Sequence, residues 1–254
     1  MINNFRELLE AAAKIKDKKV VVVFPNNQET LSAVIEARAK GLAHFILVGD
    51  ESIIRKKISI DEKIPTGVEI IHEPDVNNAL QKSIELIRQG KVEVLLKGGV
   101  DTGTLMKAIL REESGIRTGR LLSDVFIFEY PAKIDNKLIM ITDGGITLAP
   151  NLQDKVELIN NAVEVAHALG NENPKVAILS ATEFVNPKLQ STVDAAELTK
   201  MYESSQIKGC IVYGPLALDN AISVEAAKEK GIKSVVAGNA EILLFPNIDR
   251  KSVV

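Results

Sequence analysis

Short apolar runs rich in β-branched residues alternate along the chain with segments in which apolar residues recur at the spacing of an amphipathic helix. In the first half the predicted helices are Glu29–Lys40, Asp75–Gln89 and Thr102–Arg111. The predicted strands around them are Lys19–Phe24, His44–Val48, Val68–His72, Val92–Leu96, Val125–Tyr130 and Leu138–Thr142. This order of elements predicts a parallel sheet that is covered on both faces.

The same alternation restarts after Pro150. The predicted helices are Leu152–Leu169, Pro187–Tyr202 and Asn220–Lys230, and the predicted strands are Lys175–Ser180, Gly209–Tyr213, Ser234–Val236 and Glu241–Phe245. The sequence therefore predicts an α/β protein with two α/β domains, residues 1–143 and 144–254, whose boundary lies in Thr142–Pro150. In such folds ligands bind beyond the carboxyl ends of the strands, so we expect a site in a cleft between the domains.

The segment Val92–Leu110, VEVLLKGGVDTGTLMKAIL, indicates an anion site at one of these strand ends. Gly98 and Gly99 allow a close approach of the backbone, and a helix that begins near Thr102 directs unpaired N–H groups outward. A phosphate there would also meet hydroxyl groups and the ammonium of Lys97 or Lys107. The alternative is that the glycines only turn the chain, because neither GxGxxG nor the P-loop spacing is present.

Three further loops follow predicted strands and are rich in small and polar residues. They are Thr142–Pro150 (TDGGITLAP), Ser180–Pro187 (SATEFVNP) and Gly214–Ser223 (GPLALDNAIS). Ordinary turns are the alternative for each, and Asp219 or Asn220 could simply cap a helix. Three loops of the same character favour a binding site.

Composition limits the partners and the chemistry. The chain has 254 residues, a net charge of −3 with no basic stripe, 4% aromatic residues and no Trp, so we expect no nucleic-acid partner. No apolar signal core and no membrane-length apolar run is found, so we expect no membrane partner and a cytoplasmic location. His44, His72 and His167 are far apart, which argues against a metal site, and Cys210 in an apolar strand is expected to be a buried thiol.

Four stretches of the sequence are similar to the phosphate acetyl/butyryltransferase family, and closest to its butyryl branch. The similarity covers roughly Lys19–Ile248. The stretches are LLKGGVDTGTLMKAIL, TDGGITLAPNLQDKVELINNAVEVAHALG, PKVAILSATEFVNPKLQSTVDAAEL and QIKGCIVYGPLALDNAIS followed by VAGNAEILLFPNI.

The resemblance implies an acyltransferase with a fold like that of isocitrate and isopropylmalate dehydrogenases. The implied reaction is reversible acyl transfer between coenzyme A and phosphate, in which acyl-CoA and phosphate give acyl phosphate and CoA, with butyryl or a related short or branched acyl group. Coenzyme A is then a substrate, no further cofactor is expected, and a homodimer is expected. The candidate substrate-binding residues carried over from the family are Lys97, Gly98, Thr102, Lys107, Ser123, Asp143, Ser180, Gly214, Pro215, Asp219 and Asn220.

The sequence departs from the family pattern at its C-terminus. The family continues after the FPNI position with a segment to which we would assign the catalytic base, and this chain stops at Val254, so the catalytic residue is unknown. The alternative function is therefore a catalytically weak, truncated homologue that binds CoA or acyl phosphate. An NAD-linked decarboxylating dehydrogenase is a third possibility, but the Asp clusters and Arg-rich motif expected of that class are not found.

Overall fold

The structure is a computed structural model that describes residues 1–16, 18–58, 64–130 and 137–248. Backbone packing divides the chain into two compact units. The N-terminal unit is Leu9–Gly119, and the C-terminal unit is Arg120–Val254 together with Met1–Leu8. The first helix, α1, is Phe5–Ala12.

The N-terminal unit follows the predicted alternation of strands and helices. Its strands are β1 (Lys19–Val23), β2 (His44–Gly49), β3 (Val68–His72) and β4 (Val94–Lys97). Its helices are α2 (Gln28–Ala39), α3 (Glu51–Ile58), α4 (Val76–Arg88) and α5 (Thr102–Ile109), followed by a 3-10 turn at Glu112–Ser114.

The four strands form a parallel sheet in the order β3-β2-β1-β4. Val22 of β1 packs in one cluster with Leu31 of α2 and Ile54 of α3, whereas its neighbour Val21 packs in another with Ala79 of α4. Because successive strand residues point to opposite faces, helices cover both faces, as predicted. The chain order reverses between β1 and β4, which makes the gap between their carboxyl ends the switch point of this sheet.

The C-terminal unit contains a second sheet. Its strands are β5 (Phe126–Tyr130), β6 (Lys137–Thr142), β7 (Lys175–Leu179), β8 (Ile211–Leu216) and β9 (Ile242–Leu244). Its helices are α6 (Leu152–Ala168), α7 (Gln190–Glu203), α8 (Leu218–Ile222) and α9 (Val224–Glu229). In the described residues none of the helices is long and apolar enough to cross a membrane.

The strand order of the second sheet is β5-β6-β9-β7-β8. Its pairs are parallel except β5 with β6, which run antiparallel. Among the described strands the predicted parallel pairing fails only at β5 and β6, because the chain between them is too short for a helical crossover. One face packs against Leu158 of α6 and Leu198 of α7, and the other packs against Ala221 of α8 and Ala227 of α9.

Three predicted elements differ from the structure, and one helix of the structure was not predicted. Ser234–Val236 is not a strand, and the predicted helix Asn220–Lys230 is two helices, because Ser223 has an extended backbone and caps α9 through Ala226 N. Helix α3 was not predicted. Strand β8 extends through Leu216, three residues beyond the predicted end at Tyr213.

The division into units also differs from the predicted domain boundary at residue 143. The differences are Met1–Leu8 and the segment 120–143, which both belong to the C-terminal unit. Strands β5 and β6 of the segment 120–143 join the sheet of that unit through β9.

Candidate functional site

Gly98 and Gly99 hold the end of β4 against the end of β1. The N–H of Gly98 donates to Val23 O at 2.9 Å, and the N–H of Gly99 donates to Phe24 O at 2.7 Å. A Cβ atom at Gly98 would lie 2.5 Å from Val23 O. These glycines join the ends of two strands at the switch point. Their N–H groups already donate to β1 and Phe24, so they are not free to bind an anion.

Asp101 caps the helix that follows. Its carboxylate accepts from Thr104 N at 2.8 Å, and hydrogen bonds from the Thr104 side chain and backbone lower the pKa of Asp101. The predicted outward N–H groups are therefore partly satisfied by an acidic side chain that the sequence reasoning did not use. The signal was present, since Asp directly before a predicted helix is a typical N-cap.

The predicted cations and hydroxyl of this loop lie on the surface. The side chain of Lys97 donates to Val100 O at 3.0 Å, which places its ammonium group over the loop. Thr102 begins α5, and Lys107 follows in the last turn of the same helix. All three side chains are exposed, so an incoming anion can reach them.

The predicted residues of the C-terminal unit gather at one edge of its sheet. Asp143, Ser180 and Asp219 each follow the carboxyl end of a parallel strand, β6, β7 and β8 respectively. Ser123 precedes β5, and because β5 is antiparallel its beginning lies at the same edge. The structure therefore groups these positions as the carboxyl-edge rule predicts.

Asp143 organises the loop that follows β6. Its buried carboxylate accepts from Gly145 N at 2.7 Å, Ile146 N at 2.9 Å and Thr147 N at 2.9 Å. Burial raises the pKa of Asp143, but these three backbone donors outweigh burial, and the pKa lies below its ordinary value. A hydrogen bond with the carboxyl group of Asp124 also lowers the pKa of Asp143. Asp143 is therefore an anion at neutral pH whose oxygens are already occupied.

Ser123 and Ser180 are each positioned by a polar residue that the sequence reasoning missed. Asn161 of α6 donates its amide to Ser123 Oγ at 2.9 Å. The hydroxyl groups of Ser180 and Ser191 lie 2.7 Å apart, with Ser191 in the first turn of α7. The partners lie on helices, 38 and 11 residues away in sequence, so no local spacing rule could have indicated them.

Asn220 is fully buried and incompletely satisfied. Its Nδ2 lies 3.5 Å from Glu183 Oε2, and its Oδ1 has no hydrogen-bond partner among the described residues. Glu183 also pairs with Lys230 at 3.1 Å. A hydrogen bond from its own backbone N–H, followed by the one from Lys230, lowers the pKa of Glu183.

Gly214 and Pro215 lie inside β8 and not in the loop after it. Both are buried, and a Cβ atom at Gly214 would lie 2.7 Å from Ile178 O in the neighbouring strand. Asp219 is exposed within α8 and accepts from Asn220 N at 2.8 Å. The N-cap of α8 is Ala217, so capping by Asp219 or Asn220 was a wrong alternative.

The candidate residues thus form two groups, one in each unit. Lys97, Gly98, Thr102 and Lys107 belong to the N-terminal unit, and the other seven belong to the C-terminal unit. A cleft that joins the two groups stays a prediction. Among the described residues no cluster of three or more His, Cys, Asp or Glu side chains could hold a metal ion.

Comparison with known proteins identifies the family. The sequence profile of the family described as "Phosphate acetyl/butaryl transferase" matches residues 67–253. The phosphate butyryltransferase of Clostridium acetobutylicum is 45% identical over 100% of this chain and 84% of its own length.

Solved structures agree with this assignment. A branched-chain phosphotransacylase from Enterococcus faecalis V583 superposes with a TM-score of 0.80 at 32% identity, covering 93% of this chain and 82% of that protein. A structure described as a 4-hydroxythreonine-4-phosphate dehydrogenase from Salmonella typhimurium reaches a TM-score of 0.55 at 14% identity, covering 94% and 84%. The latter likeness concerns the fold alone, and it agrees with the dehydrogenase-like fold that the sequence implied. With the family profile covering most of the chain and a relative matching all of it, the chain belongs to the phosphate acetyl/butyryltransferase family.

Proposed function

We propose that this protein is a phosphate acyltransferase that reversibly converts acyl-CoA and phosphate into acyl phosphate and CoA, with butyryl or a related short or branched acyl group as substrate. The observation that carries the proposal is the 45% identity to a phosphate butyryltransferase over 100% of this chain. The polar loops at the carboxyl edges of both sheets support it, because substrates of α/β folds bind there.

In this reaction a phosphate oxygen attacks the thioester carbonyl, and the C–S bond breaks to release the CoA thiolate. The protein has to hold two anionic substrates in contact and stabilise the oxyanion of the tetrahedral intermediate. We propose that Lys97, Thr102 and Lys107 bind phosphate oxygens, because all three are exposed and supply two cations and a hydroxyl. Lys97 ends β4 and Thr102 begins α5 at the switch point, whereas Lys107 lies in the last turn of α5.

For the C-terminal unit we propose that the carboxyl-edge residues contact the acyl-CoA. Asp143 is not suited to be the general base, since its pKa is below the ordinary value and its oxygens already accept from the backbone. Its proposed role is to hold the loop 144–147 in place. Gly214 and Pro215 are proposed to set the shape of the sheet edge, and Ser123, Ser180, Asp219 and Asn220 are proposed to line the site.

The test is a thiol-release assay on the purified chain with phosphate and an acyl-CoA series of acetyl-CoA, butyryl-CoA, isobutyryl-CoA and octanoyl-CoA. Phosphate-dependent release of CoA, fastest with butyryl-CoA or isobutyryl-CoA, is the expected result. Formation of acyl phosphate is confirmed by its reaction with hydroxylamine. Release without phosphate would identify a thioesterase, and CoA binding without release would favour the catalytically weak homologue.

Two further properties are proposed with the function. We propose a homodimer, which light scattering of the purified chain tests directly, and a cytoplasmic location, which fits a chain with a single cysteine. Fractionation of the source cells tests the location.

A further inference from the structure

The switch point of the N-terminal sheet holds a side chain that the family resemblance does not assign. Asn26 follows β1, and a Cβ atom built on Gly99 after β4 would lie 1.8 Å from Asn26 Oδ1 and 2.8 Å from its Nδ2. The Asn26 amide therefore occupies the space that any other residue at position 99 would fill. The absence of a side chain at Gly99 is what admits this amide to the gap between the two strand ends.

The backbone holds Asn26 in this position. Asn26 N donates to Phe24 O at 2.9 Å, and Lys57 Nζ donates to Asn26 O at 3.0 Å. A cavity of about 230 Å³ adjoins the residue. Its lining is Phe24, Pro25, Asn26, Asp50, Ile53 and Ile54.

The side chain of Asn26 is exposed, and its amide makes no hydrogen bond to any described residue. Its neighbours differ in this respect. The Asn27 side chain caps α2 through Thr30 N at 2.8 Å, and the Gln28 amide donates to Ser32 Oγ and Lys57 O, both at 3.4 Å. Of these three consecutive amides, Asn26 is the one whose donor and acceptor are available to a ligand.

The exposed groups that flank Gly99 fit an anion, and Asp50, which follows β2, is the one acidic residue in the lining of the adjoining cavity. Lys97 lies two positions before Gly99 and Thr102 lies three positions after it, and both are exposed at the same switch point. A primary amide adds two N–H donors to this ammonium and hydroxyl without adding charge. Hydrogen bonds from such donors to an ionised oxygen are stronger than neutral ones.

We infer that Asn26, seated over Gly99, is a phosphate-binding residue of the N-terminal unit. Its Nδ2–H donates to an oxygen of the inorganic phosphate, or of the phosphoryl group of the acyl phosphate, beside Lys97 and Thr102. This inference rests on the proposed acyl transfer between CoA and phosphate. The side chain takes no part in bond making, and its effect is on the affinity for phosphate.

The test is steady-state kinetics of the full chain with phosphate and butyryl-CoA varied separately. Asn26→Ala is expected to raise the KM for phosphate about 10- to 100-fold, because a hydrogen bond to a charged group is lost. Asn26→Asp is expected to raise it further by charge repulsion. The KM for butyryl-CoA stays within about twofold, and the matched control Gln28→Ala is unchanged in both.

A double-mutant cycle with Gly99 separates binding from general disturbance of the loop. Gly99→Ala is expected to push the Asn26 amide aside and to reproduce the Asn26→Ala defect, and the double variant is expected to be no worse than either single variant. An unchanged phosphate KM in Asn26→Ala, an equal rise of both KM values, or additive losses in the cycle would each overturn the inference.

The two proposals can fail separately. If the wild-type chain is active and Asn26→Ala and Asn26→Asp have the same KM for phosphate as the wild type, the inference is overturned and the acyltransferase proposal stays intact. If the wild-type chain shows no turnover, thermal unfolding with inorganic phosphate replaces kinetics. A phosphate-induced rise in Tm that Asn26→Asp abolishes supports the inference, and a rise that persists in Asn26→Asp overturns it. No rise in the wild type overturns both proposals.

Discussion

Lys155 of α6 and Asp194 of α7 form an ion pair inside the C-terminal unit, with 2.5 Å between Nζ and Oδ2. The two side chains are only 6% and 12% exposed, and the second carboxylate oxygen of Asp194 accepts from the Gln190 amide at 2.7 Å. The pair joins the helices that cover one face of the sheet, on the side where Ser191 positions Ser180. Replacing both residues of a buried ion pair destabilises a fold less than replacing one, because a single replacement leaves the other charge buried and unpaired.

Removal of one partner of this pair is expected to cost more than removal of both. Lys155→Met and Asp194→Leu should each lower the free energy of unfolding by about 3–5 kcal/mol, since each leaves a buried charge unpaired. The double variant should lose clearly less than the sum of the two. Urea unfolding followed by far-UV circular dichroism measures all three variants.

The control for these three variants is an exposed ion pair on α7. Lys200 and Glu197 lie 3.3 Å apart with side chains 69% and 47% exposed, so Lys200→Ala should change stability by no more than about 0.5 kcal/mol. Strict additivity of the two buried substitutions would contradict the assigned ion pair.

The pKa of Asp143 predicts part of the acid sensitivity of the C-terminal unit. Because the folded pKa is below the unfolded value of about 3.9, the stabilisation by Asp143 is present above that value and is lost as pH falls through the folded pKa. Asp143→Asn should lower the free energy of unfolding by about 1–3 kcal/mol at pH 7. The difference from wild type should shrink in acid, and urea midpoints between pH 7 and pH 2.5 test this. A difference that stays constant over the whole range would show that the carboxylate charge is not what holds the loop.

The sequence predicted most elements because alternation of strands and helices leaves a strong periodic signal. It missed α3, whose eight residues carry only Ile54 and Ile58 as buried positions among charged neighbours. It merged α8 and α9, because a serine inside an apolar helical pattern does not by itself indicate a break. Strong hydrophobic periodicity thus predicted most strands and helices. The prediction failed where that periodicity is weak, as in α3, and where a single polar residue ends a helix, as Ser223 does between α8 and α9.

The sequence predicted where the candidate residues lie in the sheet, but not which side chains they contact. The carboxyl-edge rule correctly places Asp143, Ser180 and Asp219 at one edge of a sheet. Partners such as Asp194 for Lys155, which is 39 residues away, depend on how helices pack and leave no trace in local spacing. The seat of Asn26 over Gly99 is hidden for the same reason, since it joins loops after two different strands.

Gly214 is expected to be intolerant of any side chain. Its Cβ would lie 2.7 Å from both Ile178 Cβ and Ile178 O, which belong to the adjacent strand and cannot rotate away. Gly214→Ala should lower the free energy of unfolding by about 3 kcal/mol, because β7 and β8 would have to separate.

Gly231→Ala in the same unit is the matched control for Gly214. Gly231 has a φ of +66° and open space around its Cβ position, so alanine there costs only the left-handed conformation, about 1 kcal/mol. Equal losses in the two variants would show that the contact with Ile178 is not what excludes a side chain. Urea unfolding of both proteins under one set of conditions gives the comparison.

The thiol of Cys210 is expected not to contribute to the signal of the thiol-release assay that tests the function. It is only 3% exposed, and burial raises the pKa of its thiol to about 11, so at pH 8 about one thiol in a thousand is ionised. Native protein should therefore react with DTNB far more slowly than free CoA, and one equivalent should react at once in guanidinium chloride, because the chain has a single cysteine. Cys210→Ala should release CoA at the wild-type rate, which shows that the thiol is not a nucleophile in the reaction. Rapid labelling of the native protein would contradict the buried position, and loss of turnover in a folded Cys210→Ala variant would contradict direct attack by phosphate.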